Sequence, residues 1–321
     1  MAGRFYWKIL TIIIAIFVTS VAFPADSFAF KHHRHKKHVA LSISPQFSAL
    51  VVDGKTGAVL YQQNANAIRY PASLTKMMTL YLAFEALDKG RLHMNESLPV
   101  SAYAAAQPQT NISLSEGDRL PVRTAIESIV VRSANDSAMV LAEYLGGSAQ
   151  HFAQMMTAKA HELGMSNTVF YNPNGLPDPR QHTTAMDMAK LGIALRRDFP
   201  DYYPFFKLES FSYAGVTYPG HNHVMERYDG VDGIKTGYIR ASGYNLVTSA
   251  HKNGYSIVAV IMGGKTIQSR DDQMISLLDR TFDQLAGNHS DNGIVRKTSS
   301  LTANNDNNED WPTAPQSAKS F

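Results

Sequence analysis

The chain has 321 residues, 44% hydrophobic and 18% charged, with 30 Lys and Arg against 27 Asp and Glu and no Cys. That length and apolar content exclude a mainly disordered protein and allow one large domain or two small ones. A net charge of +3 is too small to point to nucleic acid, and the lack of cysteine excludes disulfide staples, thiolate catalysis and Cys-ligated zinc.

Arg4 and Lys8 precede an apolar run from Ile9 to about Phe23, which is followed by Pro24 and by Ser27-Phe28-Ala29. A basic start, an apolar middle and a small-x-Ala end read as a secretory signal peptide over residues 1–29, cut after Ala29. The run of about 15 residues falls short of the roughly 20 that span a bilayer. The expectation is therefore export to the periplasm or cell-wall space, with no transmembrane anchor after cleavage. Residues 31–38 concentrate the positive charge (Lys31, Arg34, Lys36 and Lys37 among histidines). Without a carboxylate or a fixed geometry this run reads as a solvated linker over residues 30–45 that touches anionic lipid or wall polymer, not as a metal site.

Further along, Ser48–Val52 and Val59–Gln63 read as strands around a hairpin turn at Asp53-Gly54-Lys55-Thr56-Gly57. A strong helix is expected from Ser73 to about Asp88, stopped by Gly90. Leu74, Met77, Met78, Tyr81, Leu82, Phe84 and Leu87 make it apolar almost all round, which predicts a central, buried helix. From about 91 to 205 the pattern is mostly helical: Val122–Val131, Asp136–Tyr144, Ala149–Leu163 and Thr184–Arg197, the last opening on a capping box that uses Thr184 and Asp187. Residues 172–179, Asn-Pro-Asn-Gly-Leu-Pro-Asp-Pro, can only be a loop. Strand signals return at Ser210–Ala214, Asn245–Ala250 and Tyr255–Met262, with a turn at 252–254, and an amphipathic helix runs from Asp271 to Leu285, ending at Gly287. The order predicts one mixed α/β unit over residues 46–287, built from both ends of that segment, with a helical subdomain at about 91–205 inserted. Residues 288–321 are polar, lack an apolar period and are expected to be disordered.

Three short motifs carry chemistry. In Ser73-Leu74-Thr75-Lys76 the i, i+3 spacing puts a hydroxyl and an amine on one helix face. A serine is a weak nucleophile that a neutral lysine can activate, and the start of a buried helix is a place where desolvation keeps a lysine neutral. Ser133-Ala134-Asn135 lies in the break between two helices, and Lys235-Thr236-Gly237 follows Asp232-Gly233-Ile234 and leads towards the next strand. S-x-x-K, S-D-N and K-T-G in that order form the acyl-enzyme set of penicillin-binding proteins and class A β-lactamases, with Ala134 here in the central position of the second. Three decoys fail on context: Ser249–Lys252 ends a strand, where residues three apart face opposite sides; Lys55–Gly57 is a hairpin turn; Ser290–Asn292 lies after the K-T-G motif.

From about Ser48 to Gly287 the chain resembles the low-molecular-mass penicillin-binding proteins, specifically the D-alanyl-D-alanine carboxypeptidases. Besides the three motifs the resemblance rests on Asn174-Gly175-Leu176, residues 181–185 (Gln-His-Thr-Thr-Ala), His221-Asn222-His223, residues 231–237, residues 242–247 and Met262-Gly263-Gly264. It implies a serine β-lactamase-like fold, an antiparallel sheet flanked by helices with an inserted helical subdomain, and no cofactor or metal. It also implies roles: Ser73 as acylated nucleophile, Lys76 as its base, Ser133 as proton relay, Asn135 on a substrate amide, Lys235 as positive potential and Thr236 on the terminal carboxylate. Gly237 would give the substrate room along the strand edge, the backbone N–H groups of Ser73 and Tyr238 would form the oxyanion hole, and Arg270 would face the carboxylate. The implied partners are peptidoglycan stem peptides and, as covalent inhibitors, β-lactams. Neither His221 nor His182 is expected to be catalytic. Endopeptidase cleavage of cross-links would use the same residues. A β-lactamase is disfavoured because no Glu-x-x-Leu-Asn stretch follows Ser133, and a zinc peptidase built on His221 and His223 lacks a third-ligand motif. A wall-binding protein that acylates without turnover would need the same motif set.

Overall fold

A computed structural model describes residues 46–290, and the side chains of residues 46–287. The expected signal peptide, the linker and residues 291–321 of the expected tail lie outside the described residues. In chain order the elements are β1 (Ser48–Asp53), β2 (Val59–Gln63), a 3₁₀ turn (Ala72–Thr75), α1 (Lys76–Asp88), β3 (Ser97–Pro99), α2 (Ala102–Ala105), β4 (Arg119–Pro121), α3 (Val122–Val131), α4 (Asn135–Gly146), α5 (Ala149–Glu162) and α6 (Ala185–Asp198). A second 3₁₀ turn (Tyr203–Lys207) leads into β5 (Ser210–Tyr213), β6 (Val216–Pro219), α7 (Val224–Arg227), β7 (Val231–Ile239), β8 (Gly243–Lys252), β9 (Tyr255–Gly264) and α8 (Ile267–Ser290).

The main sheet has five antiparallel strands in the order β2-β1-β9-β8-β7. Strand periodicity divides its side chains between two cores. Leu50, Val52, Val247, Val258, Val260 and Met262 join the core that contains α1 and α6. Ala49, Val51, Leu246, Ile257, Ala259 and Ile261 pack against Met274, Leu277, Leu278 and Phe282 of α8. The sheet is thus covered on both faces, and each large apolar side chain buried there contributes about 1.5–3 kcal/mol. Ten residues of α1 are buried, as its all-round apolar pattern predicts. Phe84 lies at its centre, with the rings of Phe199, Tyr202, Phe205 and Phe206 at centroid distances of 5.8, 5.2, 6.4 and 6.1 Å.

Several boundaries differ from the sequence reading, each for a local reason. Ser73 sits in the 3₁₀ turn, one turn before α1; side chains three apart eclipse in that geometry, so Ser73 and Lys76 are brought closer, not separated. Lys235-Thr236-Gly237 leads towards β8 as read but itself lies inside a strand, β7, where two glycines and two charged residues mask the strand pattern. Strand β5 stops at Tyr213 because Ala214 and Gly215 take positive φ and turn the chain into β6. The region read as helical also holds the β3–β4 pair. Helix α8 starts at Ile267, four residues early, on a reciprocal cap in which Ser269 N donates to Thr266 Oγ1 and Thr266 N to Ser269 Oγ. It runs through Gly287 to Ser290, since a single glycine costs a helix only about 1 kcal/mol. Thr184 caps α6 by accepting from Asp187 N at 3.0 Å, while the Asp187 carboxylate accepts from Asn167 N and Thr168 Oγ1. Among the described residues no helix is long and apolar enough to cross a membrane.

Candidate active site

The buried helix α1 delivers its leading turn to the free edge of the sheet. Gly237 on edge strand β7 comes so close that a Cβ there would lie 3.1 Å from Ser73 N, Leu74 N and Pro71 O. The approach is fixed from below by Asn245 of β8: its Nδ2 donates to the carbonyls of Tyr70 and Pro71 at 3.1 and 3.2 Å, and its Oδ1 accepts from Gly263 N at 3.0 Å. Ala72, immediately before Ser73, has φ 50°, a conformation that a non-glycine residue holds only under constraint.

Lys76 is fully buried, and its Nζ meets three acceptors: Ser73 Oγ at 3.2 Å, Asn135 Oδ1 at 2.7 Å and the Asn174 carbonyl. Burial, and then the Lys235 charge, push its pKa well below the usual lysine range, against a smaller upward pull from Asp136. The geometry says where the lone pair of the neutral amine points. The Asn174 carbonyl can only accept, and so can Asn135 Oδ1, because Asn135 Nδ2 is turned to the Pro108 carbonyl at 2.8 Å. The two amine hydrogens go to those oxygens, and the lone pair is left facing the Ser73 hydroxyl.

Ser133, at φ 61° in the break between α3 and α4, is held by Thr110 Oγ1 donating to its carbonyl at 2.9 Å. Its own Oγ is buried and has no hydrogen-bond partner among the described residues. The next residues anchor a loop over the site: Asn135 N donates to the Thr110 carbonyl at 2.7 Å, and the buried Asp136 carboxylate accepts from Ile112 N and Leu114 N at 3.0 and 3.2 Å. On the other side, residues 172–176 close on the nucleophile's turn. Thr79 Oγ1 donates to the Pro173 carbonyl at 2.6 Å, Asn174 Nδ2 to Gln107 Oε1 at 2.8 Å, and Gly175 takes φ 84°. A Cβ on Gly175 would stand 1.9 Å from the Ala72 carbonyl oxygen. Gly175→Ala is therefore expected to push this loop off the Ser73 turn, lowering stability by about 1–3 kcal/mol and slowing acylation as well; thermal unfolding and a labelled β-lactam measure the two losses.

Lys235 is buried, with its pKa pushed down by burial and by the Arg270 charge. Its Nζ donates to the Thr236 carbonyl at 3.1 Å. Arg270, in the first turn of α8, is also buried and pairs with Asp271 at 2.6 Å. This corner thus sets the Arg270 guanidinium and the Lys235 amine, its pKa pushed down to about 7, against one carboxylate. A cleft of about 400 Å³ is lined by Ser73, Ser133, Asn135, Thr236, Gly237, Tyr238 and Arg270, together with Gln109, Thr110, Asn174 and His221. All nine residues singled out from the sequence lie in or directly under it: seven line its wall, and Lys76 and Lys235 are buried. The sequence reading gave no role to Asn245, to the loop at 107–110 or to the Asn174 carbonyl; of these, the Asn-Pro-Asn-Gly stretch, readable as a tight loop, was the available signal. His223 is exposed and lies 3.7 Å from Glu226, and among the described residues no three His, Cys, Asp or Glu side chains form a metal-binding group.

Residues 35–266 match the profile of the D-alanyl-D-alanine carboxypeptidase family. The chain is 33% identical to the D-alanyl-D-alanine carboxypeptidase DacF of Bacillus subtilis over 288 residues, which covers 85% of this chain and 70% of the relative. It is 34% identical over 248 residues to DacA of Escherichia coli, covering 74% of this chain but 62% of that relative. Penicillin binding protein 5 of Haemophilus influenzae superposes with a TM-score of 0.71 at 32% identity, over 74% of this chain and 70% of the other.

Proposed function

The chain belongs to the D-alanyl-D-alanine carboxypeptidase family, and from that membership we propose that it removes the terminal D-Ala from peptidoglycan pentapeptides through an acyl-enzyme on Ser73. The observation that carries the residue roles is the Lys76 amine, buried, with its pKa pushed well below the usual lysine range, and facing Ser73 Oγ at 3.2 Å beside the Asn135 Oδ1 and Asn174 carbonyl acceptors.

Ser73 Oγ attacks the carbonyl carbon of the last peptide bond while its proton passes to Lys76 Nζ. The negative charge that develops on the carbonyl oxygen is met by the backbone N–H groups of Ser73 and Tyr238. Collapse breaks the C–N bond, and the leaving amine takes its proton from Lys76 by way of the Ser133 hydroxyl, whose Oγ has no partner among the described residues. Water then attacks the acyl-serine, gives its proton to Lys76 and frees the shortened peptide, and the proton returns to Ser73. Asn135 has a second Nδ2 hydrogen for a substrate carbonyl. The terminal carboxylate sits on the Thr236 hydroxyl, and the excess positive charge of Lys235 and Arg270 over Asp271 favours it. A β-lactam enters the same sequence as a covalent inhibitor. The basic-apolar-small pattern of residues 1–29 supports work outside the cytoplasm, where such peptides are exposed.

The test is release of D-Ala from a soluble pentapeptide ending in D-Ala-D-Ala, run beside a cross-linked peptide dimer. Faster release from the pentapeptide supports the reading; cleavage of the dimer alone would replace it with endopeptidase activity. Thr236→Val is expected to lower kcat/KM on the carboxylate-bearing peptide about ten- to a hundredfold, the worth of a hydrogen bond to a charged group, and to leave its C-terminal amide almost unchanged. Equal loss on both would remove Thr236 from the carboxylate site.

A further inference from the structure

Behind β7 lies a second, smaller cavity of about 20 Å³, lined by Lys235, Thr236, His221 and Asn222, by apolar side chains such as Phe206 and Ile234, and by the exposed Glu209 and Glu226. His221 and Thr236 also line the catalytic cleft, so they stand between the two spaces. Two buried atoms here, His221 Nε2 and Asn222 Oδ1, have no hydrogen-bond partner among the described residues. Both are acceptors. Asn222 Nδ2 donates to the Gly233 carbonyl at 3.2 Å, which fixes the amide with Oδ1 on the other side. The nearby Arg132 carbonyl favours a proton on the His221 ring; with Nε2 buried and unpartnered among the described residues, the tautomer that carries its proton on Nδ1 leaves the lone pair on Nε2. Burial and the Lys235 and Arg132 charges hold the ring neutral, with a pKa of about 4. Lys235 Nζ, in turn, has one protein acceptor, the Thr236 carbonyl, for its three hydrogens when charged.

The cavity is large enough for a single water molecule. A water there would accept a hydrogen bond from Lys235 Nζ and donate its two hydrogens to His221 Nε2 and Asn222 Oδ1, giving both unpartnered acceptors a donor. The geometry points to His221 as a positioning residue, its Nε2 lone pair holding the Lys235 ammonium, through this buried water, at the carboxylate end of the cleft. The inference rests on the reading above that Lys235 serves a substrate carboxylate. It also gives a reason for a histidine that does no proton transfer of its own: an acceptor is needed at this place, and a cationic ring would repel Lys235.

The experiment compares His221→Leu and His221→Gln with the wild-type chain on a peptide with a free C-terminal carboxylate and on its C-terminal amide, with thermal unfolding as the check on folding. His221→Leu, which keeps bulk and loses the acceptor, is expected to lower kcat/KM about ten- to a hundredfold on the carboxylate and less than about threefold on the amide. His221→Gln keeps an acceptor oxygen near the Nε2 position and is expected to stay within about threefold of wild type on both. If leucine prevents folding, His221→Met takes its place in the comparison. Equal losses on carboxylate and amide, an unimpaired leucine variant, or a glutamine variant as weak as leucine would each overturn the inference. A wild-type enzyme that turns over the amide as well as the carboxylate would fault the assignment of Lys235 to the carboxylate, and the inference with it; His221 data that fail while wild type discriminates would leave that assignment standing.

Discussion

Ser73→Ala is expected to lower D-Ala release by at least about 10⁴-fold, the scale seen when an acyl-enzyme nucleophile is removed, with no loss in thermal midpoint. The hydroxyl makes a single side-chain hydrogen bond, to Lys76 Nζ at 3.2 Å. The half-buried Ser73 turn is held in place by the backbone contacts of Gly237 and Gly175 and by Asn245, none of which involves Oγ. Progress curves on a D-Ala-D-Ala peptide together with unfolding curves measure both halves. Residual turnover within tenfold of wild type would show that another group carries the acyl chain.

The second large effect is at the base. Lys76→Met keeps an unbranched side chain of similar length in the buried position and removes the amine, and it is expected to slow acylation by about 10²–10⁴-fold, the range of general-base contributions. It also changes two pH dependences. In wild type, acylation rises with pH as Lys76 loses its proton, and because burial and Lys235 depress that pKa, the rise falls well below the ordinary lysine range; the variant lacks this limb. For stability, a lysine whose folded pKa is depressed leaves the unfolded chain binding more protons, so wild type loses stability as pH falls from the unfolded value towards the folded one, and loses no more from this group below that. The difference in unfolding free energy between variant and wild type therefore moves in the variant's favour over that window. A difference flat with pH, together with an acylation limb kept by the variant, would mean that Lys76 is charged throughout and that another group is the base.

What could be read from the sequence follows the division between side-chain chemistry and backbone geometry. Ser73 and Lys76 were legible because a spacing of three residues has one consequence on a helical turn, and the all-round apolar pattern of α1 placed that turn inside the protein. The β-rich runs of β1, β8 and β9 announced strands, and the structure adds that both faces of their sheet are covered. The Asn174 carbonyl, which fixes the Lys76 lone pair, has no signature in residue identity, since every residue carries a carbonyl. Strand β7 went unread for the opposite reason: Gly233 and Gly237 weaken a strand pattern, yet Gly237 is what lets the Ser73 turn approach the edge, since a Cβ there would stand 3.1 Å from Ser73 N. Arg270 shows the limit of a local reading. A charged residue at a helix start is ordinarily exposed, and only the packing of α8 on the sheet, with Asp271 as a neighbour, makes it a buried cation near Lys235. The early start of α8 was hidden because its reciprocal cap uses Ser269 where the pattern sought is Glu or Gln.

The most direct measurement is the intact mass of the chain from Phe30 onward after incubation with a penicillin, followed by peptide mapping. The expected result is one equivalent of added drug on the peptide that contains Ser73, absent from Ser73→Ala. A folded protein that gains no mass while the penicillin survives, or one whose adduct lies on a different residue, would contradict the assignment of Ser73 as the acylated nucleophile.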